Sequence, residues 1–250
     1  MPKLGTLAWL ESTRGRMTAA EMLGFAARAV HAQVALAIER RTIKPVRYRD
    51  VSDIVPPDTA ICTEALRVAQ ADCEPFLFNH CMRAYFFARL IDDGQRTIDH
   101  EAFFVATMLH DLGLAEKHRL SGSGPRCFTA VGVGHAQTLG QAHGWSDRRT
   151  SVAAQAIALH LNVVVADAFG PEAALLRFGT GADVAGLGTH RLRADQIESV
   201  CAHHPRLGMK REITRCFEIE ARERPRSRAG FMTRRLGFKR YIARTTAFGD

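Results

Sequence analysis

The chain lacks a long uncharged apolar run and a recognisable export signal. No stretch of 18 apolar residues free of charge occurs among its 250 residues, which argues against a transmembrane helix. The first five residues, Met1 to Gly5, begin neither a continuous apolar segment nor a small-residue cleavage site, so we expect no secretory signal peptide. With 46% apolar residues, the composition predicts a globular protein with a sizeable core and no membrane partner.

Paired cysteines and phosphate-binding loops are also missing. The six cysteines are scattered and form no Cys-x-x-Cys pair, which is typical of reduced, mostly buried thiols in a cytoplasmic protein. We therefore expect a cytoplasmic location. No glycine-rich loop followed by Lys-Ser or Lys-Thr is present, which excludes nucleoside triphosphate binding by a P-loop.

Basic residues outnumber acidic residues only in the C-terminal part of the chain. From Arg206 onward there are 13 Lys/Arg and 5 Asp/Glu, which accounts for the whole net charge of +8. The segment 224–250 is interpreted as a basic tail, and a solvated terminal extension is the favoured interpretation because no nucleic-acid-binding motif accompanies the charge. Binding of nucleic acid through this tail is the alternative.

The periodic stretches have helical spacing throughout, and no hairpin signal or alternating apolar run occurs. Thr18 and Glu21 form a capping box that starts a helix reaching to about Arg41. An extended connector ends at Val55-Pro56-Pro57, after which Asp58 caps the next helix. The sequence predicts an all-α fold.

A histidine and an aspartate are adjacent where an apolar helical run ends, in Leu109-His110-Asp111-Leu112-Gly113. Gly113 is predicted to end the helix in the left-handed conformation that glycine adopts without steric cost. Neighbours on a helix differ by about 100° in direction, so His110 and Asp111 can flank one point at the helix end. An imidazole and a carboxylate that converge there form half of a metal shell suited to zinc, iron or manganese.

Further candidates lie on other predicted helices. His80 interrupts an apolar helix that starts at Pro75, and Arg83 follows on the same helix face. His160 lies in a helix predicted to run from Val152 to about Val165. Asp183 lies among four glycines that permit close helix approach, at positions 179, 181, 186 and 188.

The order of these residues resembles the HD-domain superfamily of metal-dependent hydrolases, which uses an H…HD…D ligand set on a helical bundle. The residues around these positions look most like the bacterial branch of this superfamily that is similar to cyanamide hydratase. The resemblance covers about residues 58–223 and implies three parts: an N-terminal helical extension (1–57), an HD domain (58–223) and the basic tail (224–250). The motifs that carry it are Asn79-His80-Cys81-Met82-Arg83, Leu109-His110-Asp111-Leu112-Gly113, Ala156-Ile157-Ala158-Leu159-His160 and Gly181-Ala182-Asp183-Val184.

The resemblance implies a divalent metal ion, with zinc expected and iron or manganese as alternatives. The implied ligands are His80, His110, Asp111 and Asp183. His160 is expected to move a proton or to bind a second metal, and His135 is a further candidate for a second metal. If His160 and His135 are both counted as ligands, the pattern resembles the six-ligand set of dinuclear superfamily members, which include phosphodiesterases and diiron oxygenases.

The implied chemistry is attack by a metal-activated water on a small-molecule substrate with a nitrile, cyanamide-like or amidine-like carbon. A phosphate ester is the alternative substrate, for which Arg83 and Lys117 are the candidate cations. Where relatives often carry an acidic residue after Phe128, this chain has Thr129.

The sequence leaves three hypotheses for the function. They are a metal-dependent hydrolase or hydratase, an HD phosphohydrolase or diiron oxygenase, and a non-catalytic module that binds nucleic acid.

Overall fold

The computed structural model describes residues 2–42, 49–92, 94–120 and 126–248. These residues form thirteen α-helices and no strand, which confirms the all-α prediction. The helices are α1 (Leu7–Thr13), α2 (Ala19–Thr42), α3 (Ala60–Asp72), α4 (Pro75–Ile91), α5 (His100–Leu109), α6 (Glu116–Leu120), α7 (Thr129–Ala142), α8 (Asp147–Leu159), α9 (Pro171–Ala185), α10 (Ala194–His203), α11 (Met209–Glu223), α12 (Arg228–Arg235) and α13 (Phe238–Arg244). No helix in this described part of the chain has the length and hydropathy needed to cross a membrane.

Helices α4 and α9 pack extensively against each other. Helix α4 is buried on nearly every side, as its apolar sequence predicts. A Cβ atom at Gly179 of α9 would collide with the carbonyl oxygen of Ala84 in α4. The predicted close approach of helices near Asp183 is thus confirmed at Gly179, and it brings Asp183 beside His80.

The structure confirms the predicted start of α2 and shifts the predicted start of α3 by one residue. The capping box is confirmed, since the Thr18 hydroxyl accepts from the Glu21 amide at 3.2 Å and the Glu21 carboxylate accepts from the Thr18 amide at 2.7 Å. Helix α3 begins at Ala60 with Thr59, not Asp58, as its N-cap.

Gly113 does not end a helix in the left-handed conformation, so that prediction is wrong. It lies inside a short 3-10 turn, Leu112–Leu114, and its φ is not positive. A Cβ atom there would collide with the carbonyl oxygen of Phe128. Glycine is required because the backbone before α7 passes against this turn, and not for its conformational freedom.

Helix α8 ends earlier than its apolar pattern predicts. Its last residue is Leu159 and His160 is the C-cap, whereas the sequence predicted a helix to about Val165. His110 is likewise the C-cap of α5. The last carbonyls of a helix have no partner within the helix, so both histidines lie beside free backbone acceptors.

The basic tail packs against the core. Helices α12 and α13 bury Ala229 and Ile242, and Phe248 packs its ring 5.6 Å from that of Phe87. Residues 226–248 are therefore a structural part of the bundle, and the interpretation as a solvated extension does not describe them.

Helix α2 is covered on one side only. Phe25 is fully buried, and Leu36 lines the central cavity described below. The opposite side exposes four large apolar side chains, Leu23, Val30, Val34 and Ile38.

Candidate metal centre

Three side chains form a buried group whose ligand atoms are close enough to hold a metal ion. They are His80 from α4 and the adjacent His110 and Asp111 at the end of α5. The Nε2 atoms of the two histidines lie 3.2 Å apart, and Asp111 Oδ2 lies 3.4 Å from the first and 3.3 Å from the second. The predicted convergence of these three residues is confirmed.

Two histidines of the site have their tautomer fixed by a helix end. His110 Nδ1 lies 2.8 Å from the Thr107 carbonyl oxygen, and His160 Nδ1 lies 2.7 Å from the Ile157 carbonyl oxygen. A carbonyl oxygen only accepts hydrogen bonds, so each Nδ1 carries the proton. In the neutral rings, each Nε2 is left with a lone pair that faces the centre of the site.

His80 is oriented in the same way by a carboxylate. Its Nδ1 donates to Asp183 Oδ2 at 2.7 Å, so its Nε2 also presents a lone pair. Such an outer acceptor is the usual support of a metal-binding histidine.

With the histidine rings neutral, hydrogen-bond acceptors therefore meet here without a donor. The Nε2 atoms of His80 and His110 and the carboxylate of Asp111 face one another. His160 Nε2 lies 3.5 Å from Asp111 Oδ1, and neither of these two atoms has a hydrogen-bond partner among the described residues. Buried acceptors that face each other repel unless a cation lies between them. The donor set and its spacing thus fit a divalent metal ion, whose ligand atoms typically lie about 3.0–3.4 Å apart.

The protonation of the site follows from the same contacts. Burial alone would raise the pKa of Asp111, but the charge and hydrogen bonds of the surrounding histidines, His110 foremost, hold it well below its usual value. Burial lowers the pKa of His160. Burial also disfavours the charged form of His80, but its bonds to Asp111 and Asp183 outweigh this and raise its pKa. The group therefore attracts a cation, and a metal ion would displace the proton.

Asp183 supports the site but is not placed as a ligand, which differs from the sequence expectation. Its Oδ1 accepts from Arg83 Nε at 2.8 Å and Arg206 Nη1 at 2.6 Å, and its Oδ2 accepts from Arg83 Nη2 at 2.9 Å and from His80. A carboxylate has about four acceptor positions, and all four are used. Burial opposes the charged form, but the adjacent guanidinium of Arg83 keeps the pKa of Asp183 far below its usual value.

The two cations predicted to face a phosphate lie elsewhere. Arg83 is fully buried, and besides Asp183 it donates to the backbone carbonyls of His204 and Pro205. Lys117 is exposed and pairs with Asp72 on the surface. Neither side chain lines the cavity, so a direct catalytic role for them is not supported by their positions.

His135 is also distant from the candidate metal group. Its ring packs edge-to-face against His118, with the centroids 5.2 Å apart, and burial lowers its pKa. His118 in turn binds Asp72 at 2.8 Å. The structure therefore does not bring His135 to the position expected of a second-metal ligand.

The metal group opens into a cavity of about 510 Å³, within the range of small-molecule sites. His80, Asp111 and His160 form its polar end. The walls are mostly apolar and come from α2, the segment 161–165, α9, α12 and α13. Helix α2, which precedes residue 58, and helices α12 and α13, which follow residue 223, thus complete the cavity.

Arg206 is a site residue that the sequence reasoning missed. It follows the His203-His204-Pro205 turn and has no periodic neighbours that would indicate burial. Only a search for a cation to balance Asp183 would have pointed to it.

Comparison with known families and with curated proteins found no match to this chain.

Proposed function

We propose that this protein is a metal-dependent hydrolase or hydratase that acts on a small molecule, and that it is a member of the HD-domain superfamily. The observation that carries the proposal is the convergence of His80, His110 and Asp111, whose facing atoms are all acceptors, at one end of an apolar cavity. The order of these residues on separate helices is the order that the HD resemblance implies.

Zinc is the metal that we propose. A tetrahedral zinc ion with bonds of about 2.0–2.1 Å sets its ligand atoms about 3.3–3.4 Å apart. The three distances between ligand atoms of the group, 3.2, 3.3 and 3.4 Å, lie within about 0.1 Å of that spacing. Held by His80, His110 and Asp111, a zinc ion would supply a Lewis acid and would lower the pKa of a bound water to about 7.

His160 is the residue that we assign to proton transfer. Its Nε2 has no hydrogen-bond partner in the described part of the chain and lies at the polar end of the cavity. Burial keeps the ring neutral by lowering its pKa, and its Nδ1 is held by the Ile157 carbonyl oxygen. A neutral imidazole with a fixed tautomer and a free lone pair can accept a proton from water.

The reacting group of the substrate is proposed to be a neutral electrophile, such as a nitrile or amidine carbon. A phosphate ester needs cations beside the metal, and the candidate cations, Arg83 and Lys117, lie outside the cavity wall. The arginine that does line the cavity, Arg177, is held by the Asn162 carbonyl oxygen and contacts no member of the metal group. Phosphate hydrolysis is therefore the less favoured alternative. A cytoplasmic location remains part of the proposal and is supported by the six free cysteines.

A dinuclear centre, as in HD-domain oxygenases, is the second candidate. It is favoured by the Asp111–His160 edge, because Asp111 Oδ1 and His160 Nε2 face each other at 3.5 Å without a donor between them. Asp111 and His160 would then help to hold a second ion. The position of His135 against His118 does not favour it.

Elemental analysis of untagged protein tests the proposal. One zinc per chain in the wild type, lost in Asp111→Ala, supports the mononuclear hydrolase. Two irons per chain would replace it with the dinuclear candidate. Protein that stays metal-free after separate dialysis against zinc and against iron(II) would overturn both.

A further inference from the structure

Arg177 is a cationic side chain in the apolar wall of the cavity. It belongs to α9, and its Nε donates to the backbone carbonyl oxygen of Asn162 at 3.0 Å. Its guanidinium lies 5.1 Å from the centre of the Phe178 ring. No carboxylate of the described residues forms an ion pair with it, although its charge lies in a largely apolar environment.

The acidic side chains of the cavity wall are engaged elsewhere. Glu39 of α2 accepts from Arg191 at 2.6 Å and lies 3.2 Å from His190. Asp111 belongs to the metal group. Burial lowers the pKa of Arg177 to about 10, and the charge of Glu39, which forms no ion pair with Arg177, offsets this only in part, so the side chain is still charged at neutral pH. An anionic ligand would supply that missing partner.

We propose that Arg177 binds the carboxylate of a ligand whose apolar body fills the cavity, with the end remote from the carboxylate at the metal group. This inference rests on the proposed function for the chemistry at the metal end. It names the substrate class as an amphipathic monocarboxylate that carries a hydrolysable or hydratable group away from its acid end.

A carboxylate fits better than other anions for two reasons. The planar guanidinium matches a carboxylate with two parallel hydrogen bonds, and one arginine balances one negative charge. The rest of the cavity lining is mostly aliphatic and aromatic and includes Leu36, Met232 and Leu236.

Arg177 and the metal group line the same cavity, because His80, Asp111 and His160 are also among its lining residues. One ligand can therefore contact both. A ligand as small as cyanamide would leave most of the 510 Å³ cavity empty. A longer apolar molecule fills it and removes apolar surface from water.

The test is a binding measurement with simple probes on the full-length protein. Octanoate, decanoate and dodecanoate are compared by titration calorimetry with the amides of the same chain length. We expect at least one of these acids to bind about 10- to 100-fold more tightly than its amide, the difference expected for one charge-assisted hydrogen-bonded pair. Arg177→Met should remove that preference, and Arg177→Lys should keep part of it. Arg67→Met, on the exposed face of α3, is the matched control and should bind like the wild type.

Equal affinity for acid and amide, or no binding of any of these acids at 1 mM, would overturn the inference. An unchanged preference in Arg177→Met would do the same. If Arg177→Met does not fold, the wild-type comparison and Arg177→Lys still decide the question. The same titrations with Asp111→Ala separate this inference from the proposed function: a preference for the acid in that metal-deficient variant supports the role of Arg177 whatever the metal analysis shows.

Discussion

His80 donates its Nδ1 hydrogen to Asp183 at 2.7 Å, and this bond determines which nitrogen of the ring faces Asp111. Asp183 is itself held by two buried arginines, Arg83 and Arg206. A buried cluster of three charged side chains, Asp183, Arg83 and Arg206, therefore contacts the Nδ1 side of the His80 ring. The orientation of His80 therefore depends on residues from three different segments.

Asp183→Asn is expected to weaken metal binding by about 10- to 100-fold without abolishing it, the usual effect of changing an outer partner of a ligand. The amide keeps an oxygen that accepts from His80. Competition with a chelator of known affinity measures the change. Asp183→Ala should also lower the free energy of unfolding by about 3–5 kcal/mol, because the buried guanidinium groups of Arg83 and Arg206 lose the carboxylate that balances their charge. Complete loss of metal in Asp183→Asn would show instead that Asp183 is a direct ligand.

Asp111→Ala and His160→Ala are expected to differ in their effects on metal content and on turnover. Asp111→Ala removes the anionic member of the metal group, so metal and activity should be lost together. His160→Ala should keep the metal and lower turnover by about 10²–10⁴-fold, the range for loss of a general acid or base. Metal stoichiometry and kcat are measured on the same preparations. A fall from two ions per chain to one in His160→Ala would exclude the mononuclear site.

Stability is expected to rise with pH between about 4 and 6.5. Burial lowers the pKa of four histidines, His100, His135, His160 and His204, the last to about 4. In this window the unfolded chain binds their protons and the folded chain does not, so acid favours unfolding. Urea unfolding at several pH values measures the slope. His204→Gln should make the slope shallower, and an unchanged slope would show that His204 does not contribute.

Phe248→Ala is expected to lower the free energy of unfolding by about 3 kcal/mol, since it empties a buried aromatic position. The Phe248 ring lies 4.4 Å from the Arg206 guanidinium as well as against Phe87. We therefore also expect weaker metal retention, because Arg206 supports Asp183. Phe248→Leu, which keeps most of the apolar volume, is the control. Wild-type stability in Phe248→Ala, or in a chain truncated after Arg224, would show that the C-terminal helices do not stabilise the core.

Gly179→Ala is expected to destabilise the protein by about 1–3 kcal/mol because its Cβ would meet the backbone of Ala84. Gly134→Ala is a matched control within a helix, since a Cβ atom there meets no other atom within 4 Å. That control should be neutral or stabilise by about 0.5–1 kcal/mol. Thermal denaturation compares the two, and equal midpoints would contradict the close packing of α4 against α9.

The sequence by itself determined the fold class and the core of the metal group. Helical spacing is a local property, and the capping box of Thr18 and Glu21 acts over three residues, so neither needs distant contacts to be recognised. The pairing of His110 with Asp111 was equally local, because adjacent residues at a helix end are held close together by the backbone.

Tertiary structure alone decided which residues support the site rather than form it. Asp183 is anionic in any context, but its four acceptor positions are filled by groups that come from α4 and from Arg206, distant in sequence. The early end of α8 at His160 and the packing of α12 and α13 likewise depend on contacts between remote segments. Which lone pairs remain free is set by these contacts, and sequence patterns, which report only near neighbours, do not contain that information.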